Sequence, residues 1–589
     1  MAPDLNSVPL SPYPPEATAT PPPPPQHASS TTPSQPNILY IMADQLAAPL
    51  LKMYNPASQI KTPNLDSLAA SAVVFDSAYC PSPLCAPSRM SMVTGQLPTK
   101  IGAYDNANSI GPDVPTYAHY LRAAGYETAL AGKMHFIGEQ LHGYEKRLTS
   151  DIYPGDYGWM VNWDEPDRRL EWYHNASSIL QAGPCVRSNQ LDYDEEVMYK
   201  SSQFLYDHVR QGEGARPFCL TVSLTHPHDP YTIEEQYWDL YEDVDIEAPT
   251  VSIPRDEQDP HSKRLLKVCD LWDADITETQ VKRARRAYYG AVSYVDDCIG
   301  RLLSVLKKCK LDDNTIIVFS GDHGDMLGER GLWYKMSLFE ASVRVPLLIH
   351  HPASFPARHV SSHVSTLDIL PTLVDLVGTK LWATLDIDGH SLYPFLRGGV
   401  VNTANDTAYA EYCGEGTIAP LMMIRRGRWK YVTCPVDPEQ LYDLEADPLE
   451  LVNLALPSKS LPSTEDSTID DSTAVSTTTP PATPTSAATA LATFRAEASA
   501  KWDFPAITKS VHHSQRQRTL VWSALTKGKF TSWDYNPIDD GREKYIRSHL
   551  PLDELELRAR YPAVDERGVV RGGVVKEVAG NGGERLEVI

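Results

Sequence analysis

No run of about 18 apolar residues occurs anywhere in this 589-residue chain, so no membrane-spanning helix is expected. The first stretch, MAPDLNSVPLSPYPPEATATPPPPPQHASSTTPSQ, lacks the apolar core that a secretory signal requires. Cysteine is scarce: nine residues, an odd number spread over the whole length, unlike the dense disulfide framework of a small secreted domain. A reducing, cytoplasmic setting is the expectation. Positive charge is in deficit, with 53 Lys and Arg against 76 Asp and Glu, a net of −23. That balance argues against nucleic acid or an anionic membrane as partner. It serves solubility and is compatible with a cationic substrate.

What is present is a long alternation of strand-like and helix-like segments. Residues 1–35 are rich in Pro, Ser and Thr and read as a disordered tail. PNILYIMADQ then opens the fold, a short apolar run suited to burial on both faces, with Asp44 at its carboxyl end. NLDSLAASA reads as a helix, VVFDSAY as a strand, TYAHYLRAAGY as an amphipathic helix closed by Gly125, and ETALAGKMH as a strand. PFCLTVSLTHPHDP and NTIIVFSGDHGDMLGE repeat the theme, an apolar strand followed by His and Asp, on either side of a long helix from TQVKRARR to KKCK. This order predicts an α/β fold with a large, mostly parallel sheet flanked by helices over 36–400. TAYAEY and APLMMIRRGRWKYVTC predict a smaller antiparallel sheet over 401–456. Residues 457–490 are too polar and Pro/Thr-rich to pack and read as a surface insertion, after which 491–589 form an extended C-terminal tail with helix-like runs.

In open α/β sheets, ligands gather beyond the carboxyl ends of the strands. Four such ends carry chemistry here: Asp44; Lys133 with His135; His226 with His228; and Asp322 with His323. Helix capping or a loop hydrogen bond explains any one of them, but explains four together poorly. Carboxylates from Asp44 and Asp322 suit a hard divalent cation such as Ca²⁺ or Mg²⁺. CPSPLCAPSRMSMVTG, from Cys80 to Gly95, raises a separate question. No second cysteine pair stands at zinc spacing, and the prolines around Cys85 favour a turn feeding a helix near Ser88. A thiol at a helix N-terminus has a lowered pKa and an anion-binding setting, and Arg89 adds a fixed charge. Cysteine chemistry, anion binding and an inert buried thiol all stay open on these residues alone.

CAPSRMSMVTG resembles the sulfatase signature, Cys-x-Pro-Ser-Arg followed by Thr-Gly. ADQ, GKMH, THPHDP and GDHGDMLGERGLWYKMSLFE resemble the other parts of that family in order, over roughly residues 36–450. The resemblance implies the alkaline phosphatase-like sulfatase fold and hydrolysis of a sulfuric ester. It implies that a formylglycine-generating enzyme converts Cys85 to formylglycine, whose hydrate attacks sulfur. Asp44, Asp322, His323 and the residue at Cys85 would hold one Ca²⁺. Arg89 would fix the hydrate, while Lys133 and Lys335 clamp sulfate oxygens and Asn106 adds a contact. His226 would protonate the leaving oxygen, with Lys335 as competitor for that role, and His135 would take the proton that expels sulfate.

Within the family, YCPSPLCAPSR, IGAYDN, GKMHF, DPHS, GERGLWYKMS and SWDYNP resemble the choline-sulfatase branch. That likeness implies choline-O-sulfate as substrate and a homo-oligomer, dimer or tetramer. A quaternary ammonium has no hydrogen-bond donor and is read by aromatic faces and carboxylates. The branch places this recognition at Trp159, His174 and Asn175, with Glu411 as the first acid and Glu415 as the second. It adds Asp534, on a tail that closes a neighbouring subunit's pocket. Trp163 and Trp172 are expected in the core. One departure stands out: Gln45 follows Asp44 where many sulfatases carry a second acid, so the metal would have one charged ligand fewer. A phosphate or phosphonate ester hydrolase of the same superfamily is the alternative reading.

Overall fold

The computed structural model describes residues 35–138, 140–153, 156–166, 168–170, 172–381, 386–399, 406–456 and 486–528, with short pieces at 543–544, 547–548, 560–561, 564–565, 567–569, 575–578 and 585–588. The apolar runs become strands because a strand buried on both faces needs no polar side. All seven residues of β1 (Asn37–Ala43) are buried. The other strands of its sheet are β2 (Val73–Tyr79), β3 (Glu127–Gly132), β4 (Lys146–Arg147), β5 (Phe218–Leu224), β6 (Thr315–Gly321), β7 (Leu347–His350) and β8 (Arg358–Ser365). Their spatial order is β8-β2-β7-β6-β1-β5-β3-β4. β7 runs antiparallel to both its neighbours, whereas every other pairing in the sheet is parallel.

Register is what makes a site out of this sheet. Ala43 pairs with Leu224 of β5 and with Gly321 of β6, and Gly132 of β3 pairs with Ser223. Asp44, Thr225, Asp322 and Lys133 therefore leave the sheet at one level, beyond its carboxyl ends. Gly132 is required there: its φ is +110°, and a Cβ would stand 1.9 Å from the Ser223 carbonyl oxygen.

The helices include α1 (Pro63–Ala69), α2 (Cys85–Thr94), α3 (Tyr117–Ala123), α4 (Asn189–Arg210), α5 (Glu278–Lys308), α6 (Ala487–Lys501) and α7 (Phe504–Leu525). α2 is buried on every side and closes at Gly95, in the left-handed region at φ 65°. α5 starts with a reciprocal capping box between Thr277 and Gln280. A second, antiparallel sheet follows, β9 (Thr407–Tyr412), β10 (Leu421–Arg426), β11 (Trp429–Thr433) and β12 (Gln440–Asp443), each hydrogen-bonded to the next. α6 packs on it, with Phe494 stacked on Tyr431 at 5.9 Å. That helix is capped by Ser486, so its first residues fall inside the stretch whose composition reads as an insertion. Among the described residues, no helix is long and apolar enough to cross a membrane.

Candidate active site

α2 delivers Cys85 and Arg89 into the gap where the strand ends meet. Cys85 Sγ lies 3.1 Å from His323 Nε2, 3.4 Å from Lys133 Nζ and 3.9 Å from Asp44 Oδ1. The Lys133 ammonium is paired with Asp44 Oδ2. Arg89 donates from Nε to Asp322 Oδ2 at 2.8 Å and holds Nη2 3.3 Å from Asp44 Oδ2. Its Nη1 donates to Ser223 Oγ at 2.7 Å and to the Lys133 carbonyl. Arg89 thus ties the two acids to β5 and to the chain leaving β3. Asp322 Oδ1 accepts the N–H groups of Gln45 and His323, at 3.0 and 2.9 Å. His323 Nδ1 is 3.0 Å from the Gly324 carbonyl, which leaves Nε2 for the cluster.

Ligand atoms of Asp44, Cys85, Asp322 and His323 all lie within 4.8 Å of one another, on side chains without solvent contact. Two carboxylates and an imidazole, each oriented by a second partner, fit one divalent cation. Burial opposes ionisation of Asp44, but the charges of Lys133 and Arg89 outweigh it and hold its carboxyl well below the usual range. The thiol goes the other way. Burial, then Asp44, push Cys85 up to about 11, so the lowering expected from its helix N-terminus does not occur. At neutral pH it is a thiol, not a thiolate.

Lys335 has a separate set of partners. Its Nζ is 2.7 Å from Gln45 Oε1, 2.9 Å from His228 Nε2 and 3.3 Å from His174 Nε2. The Gln45 amide is fixed in this sense because its nitrogen donates to Asp325 at 2.6 Å and to Asp229 at 3.3 Å. His228 Nδ1 is 2.6 Å from the Asp229 carbonyl oxygen, which assigns the ring proton to Nδ1 and leaves Nε2 to accept from Lys335. Burial and the Lys335 charge hold His228 well below its ordinary pKa and lower His174 as well. Both are neutral acceptors, and the ammonium is the group with protons to give.

Two assignments change accordingly. His226 is turned away: its Nδ1 is 2.6 Å from Asp194 Oδ2, on α4, and its ring packs edge-on against Tyr294 of α5. His228, two residues on, occupies the position expected for it. Glu411 is likewise committed elsewhere, its oxygens accepting from Thr99 N–H at 2.8 Å and Trp502 Nε1 at 2.7 Å. Glu415 is within electrostatic reach of Lys335, after Asp229 and Asp44, and burial pushes its carboxyl up to about 7.

The remaining expected residues fall as follows. His135 is buried with neither ring nitrogen bonded among the described residues, and burial and Lys133 keep it neutral. Asn106 Oδ1 accepts the Ala86 N–H at 3.0 Å, at the first turn of α2. Trp159 stacks on Trp172 at 5.9 Å and touches Tyr153 at 5.7 Å, so Trp172 shares that aromatic wall. Trp163 is core, packed with Tyr104, Val161 and Val511. Asn175 Oδ1 accepts from Ser177 N–H at 2.7 Å, a local turn that orients the His174 backbone. Asp534 lies outside the described residues.

A model of the sulfatase family matches residues 36–379 of the chain. The chain belongs to the sulfatase family. This sulfatase is a sulfuric ester hydrolase by descent. Two further models match it, one of the choline sulfatase enzyme C terminal over 509–561 and one of the N-sulphoglucosamine sulphohydrolase C-terminal region over 328–464. It is 47% identical to a choline-sulfatase of Rhizobium meliloti over 541 residues, 90% of this chain and 99% of that protein. An arylsulfatase of Clostridium perfringens is 29% identical and covers 71% of this chain and 90% of its own. Among solved structures, a phosphonate monoester hydrolase of Agrobacterium radiobacter superposes with a TM-score of 0.59 at 26% identity, over 71% of this chain and 91% of that one.

Tyr153 is the residue of this sulfatase that its sequence conceals. Its ring lies 4.1 Å from Lys133 Nζ, stacks on His135 at 5.3 Å, and its hydroxyl is 3.2 Å from His228 Nδ1. It comes from an irregular loop, where no periodicity marks a direction. Asp151 is also hidden there, accepting the N–H groups of Met134 and His135 at 2.8 and 2.7 Å.

Proposed function

We propose that this sulfatase hydrolyses choline-O-sulfate to choline and sulfate. The observation that carries this choice of ester is its likeness to a choline-sulfatase along 99% of that protein's length, joined by the match of its C-terminal region to the same branch. The geometry agrees with a cationic alcohol. Trp159 stacks on Trp172 and lies 5.7 Å from Tyr153, whose ring is 5.5 Å from that of His228, and Glu415 supplies a buried acid.

Cys85 is the precursor of a formylglycine, whose hydrate supplies an oxygen nucleophile that the buried, protonated thiol does not. Asp44, Asp322, His323 and the residue at position 85 would hold one divalent cation, Ca²⁺ in this reading, which would draw charge from the sulfate oxygens. Lys133 and Lys335 bind the sulfate group, with Asn106 beside it. Lys335 gives the proton that the departing choline oxygen needs, and His228, His174 and Gln45 hold its ammonium in line. His135, neutral and unbonded among the described residues, accepts the proton whose loss releases sulfate. Asp534, a conversion enzyme for Cys85, and a homo-oligomer that would complete the pocket rest on the branch resemblance.

Sulfate release from choline-O-sulfate, measured beside an aryl sulfate and an aryl phosphate, tests the reading. Preference for the choline ester is expected. Preference for the aryl phosphate would move the protein to phosphoester chemistry.

A further inference from the structure

Asp105 is fully buried, and the cation that neutralises it arrives from the opposite end of the chain. Arg518 of α7 donates from Nη1 to Oδ1 at 2.6 Å and from Nη2 to Oδ2 at 3.0 Å, a bidentate pair with side-chain exposures of 9% and 0%. Asp105 Oδ1 also accepts the Ala107 N–H at 3.0 Å, and Asn108 Oδ1 accepts those of Tyr104 and Asp105 at 3.0 and 3.1 Å. These bonds lock Tyr104–Asn108 into one tight turn. At its centre Asn106 receives Ala86 N–H on Oδ1, the peptide immediately after Cys85. With its oxygen spent on α2, the Asn106 amide is left to donate from Nδ2.

The same helix fastens a second loop. Gln515 Oε1 accepts the Trp163 N–H at 3.0 Å, Arg516 pairs with Asp164 at 3.0 Å, and a Cβ at Gly158 would stand 2.9 Å from the Trp522 ring. Gly158 directly precedes Trp159. One face of α7 therefore spans the turn beside the nucleophile and the loop bearing the aromatic wall. α7 lies beyond the part of the chain that the sulfatase family model matches.

We propose that Arg518 is a positioning residue for the sulfate end of the site, acting through Asp105 to fix Asn106 against the start of α2. The inference rests on reading Cys85 and Asn106 as the sulfate-binding side. It predicts that loss of Arg518 affects any sulfate ester equally, whatever its alcohol.

The test uses the full-length protein with Arg518→Met, Arg518→Lys, Asp105→Asn and the double variant Arg518→Met/Asp105→Asn. Turnover is read on choline-O-sulfate and on an aryl sulfate, and amide hydrogen exchange is read over residues 84–110. Arg518→Met is expected to lower kcat/KM between about 10- and 100-fold, by one factor on both esters. Arg518→Lys recovers part of it, the double variant loses no more than the worse single one, and exchange over 84–110 rises. Unchanged turnover, a loss confined to the choline ester, additive losses, or unchanged exchange over 84–110 would each overturn the proposal. If Arg518→Met does not fold, the lysine variant and Asp105→Asn carry the same comparison. If the unaltered protein releases sulfate from neither ester, the functional reading fails, and the exchange measurement still decides the positioning role.

Discussion

Lys335 Nζ stands 2.9 Å from His228 Nε2, while His226 directs Nδ1 to Asp194 at 2.6 Å. Asp194 accepts three times at this corner, from Thr225 N–H, His226 N–H and the His226 ring, which pins the chain as it leaves β5. With His226 spent on that anchor, the next side chain able to reach the cluster is His228. The two histidines thus have different jobs, one holding the loop and one meeting the ammonium.

Replacing them separates those jobs. His228→Ala is expected to lower kcat by about 100-fold, because Lys335 loses an acceptor that aims it. His226→Ala is expected to cost about 1–3 kcal/mol of stability, by leaving a buried carboxylate short of a donor. Its folded fraction should keep most of its kcat. Thermal unfolding and steady-state kinetics on both variants check this, and a larger kcat loss in His226→Ala would restore the expectation drawn from sequence.

How much of this was readable beforehand follows from the range of each interaction. The strand ends bearing Asp44, Lys133 and Asp322 were legible because apolar runs and their terminal acids are local in the chain. The choice between His226 and His228 was not, since both stand in one irregular loop and Asp194 decides it from a helix upstream. From sequence Glu411 ranks ahead of Glu415, but Trp502, 91 residues later, takes one of its oxygens. Tyr153 and the Asp105–Arg518 pair, separated by 413 positions, carry no sequence periodicity at all.

In the proposed reading, Glu415 makes substrate binding depend on pH in a defined direction. Burial raises its carboxyl to about 7 in the free chain. A quaternary ammonium favours the ionised form, so the free protein must lose a proton below that value before binding. For choline-O-sulfate, kcat/KM is expected to fall as pH drops below about 7, towards tenfold per unit. An aryl sulfate should lack that limb, and Glu415→Gln should remove it for the choline ester. A limb shared by both esters would assign the titration to the sulfate side instead.

Conversion of Cys85 is a matter of mass. Exchange of the thiol for an aldehyde lowers the mass of its peptide by about 18 Da. Protein made alongside a formylglycine-generating enzyme should show that loss and turn over, and Cys85→Ala should do neither. Full activity in protein whose Cys85 peptide keeps its unmodified mass would remove formylglycine from the mechanism.

Metal removal and loss of Arg89 should part company, although both touch the same acids. In the metal-free chain Asp44 stays paired with Lys133, and Asp322 stays paired with Arg89 at 2.8 Å. Neither carboxylate is stranded, so chelation is expected to abolish turnover, restorable by Ca²⁺, with only a small fall in the unfolding temperature. Arg89→Met leaves Asp322 without its cation in a fully buried site and takes one from Asp44. Breaking a buried pair from one side costs about 3–5 kcal/mol. That variant should therefore unfold earlier than the chelated protein, by a margin that added Ca²⁺ narrows, because the ion would neutralise the acids that Arg89 no longer serves. Unfolding curves recorded with and without Ca²⁺ decide it. Equal stability of the chelated protein and Arg89→Met would show that the guanidinium does not hold these acids.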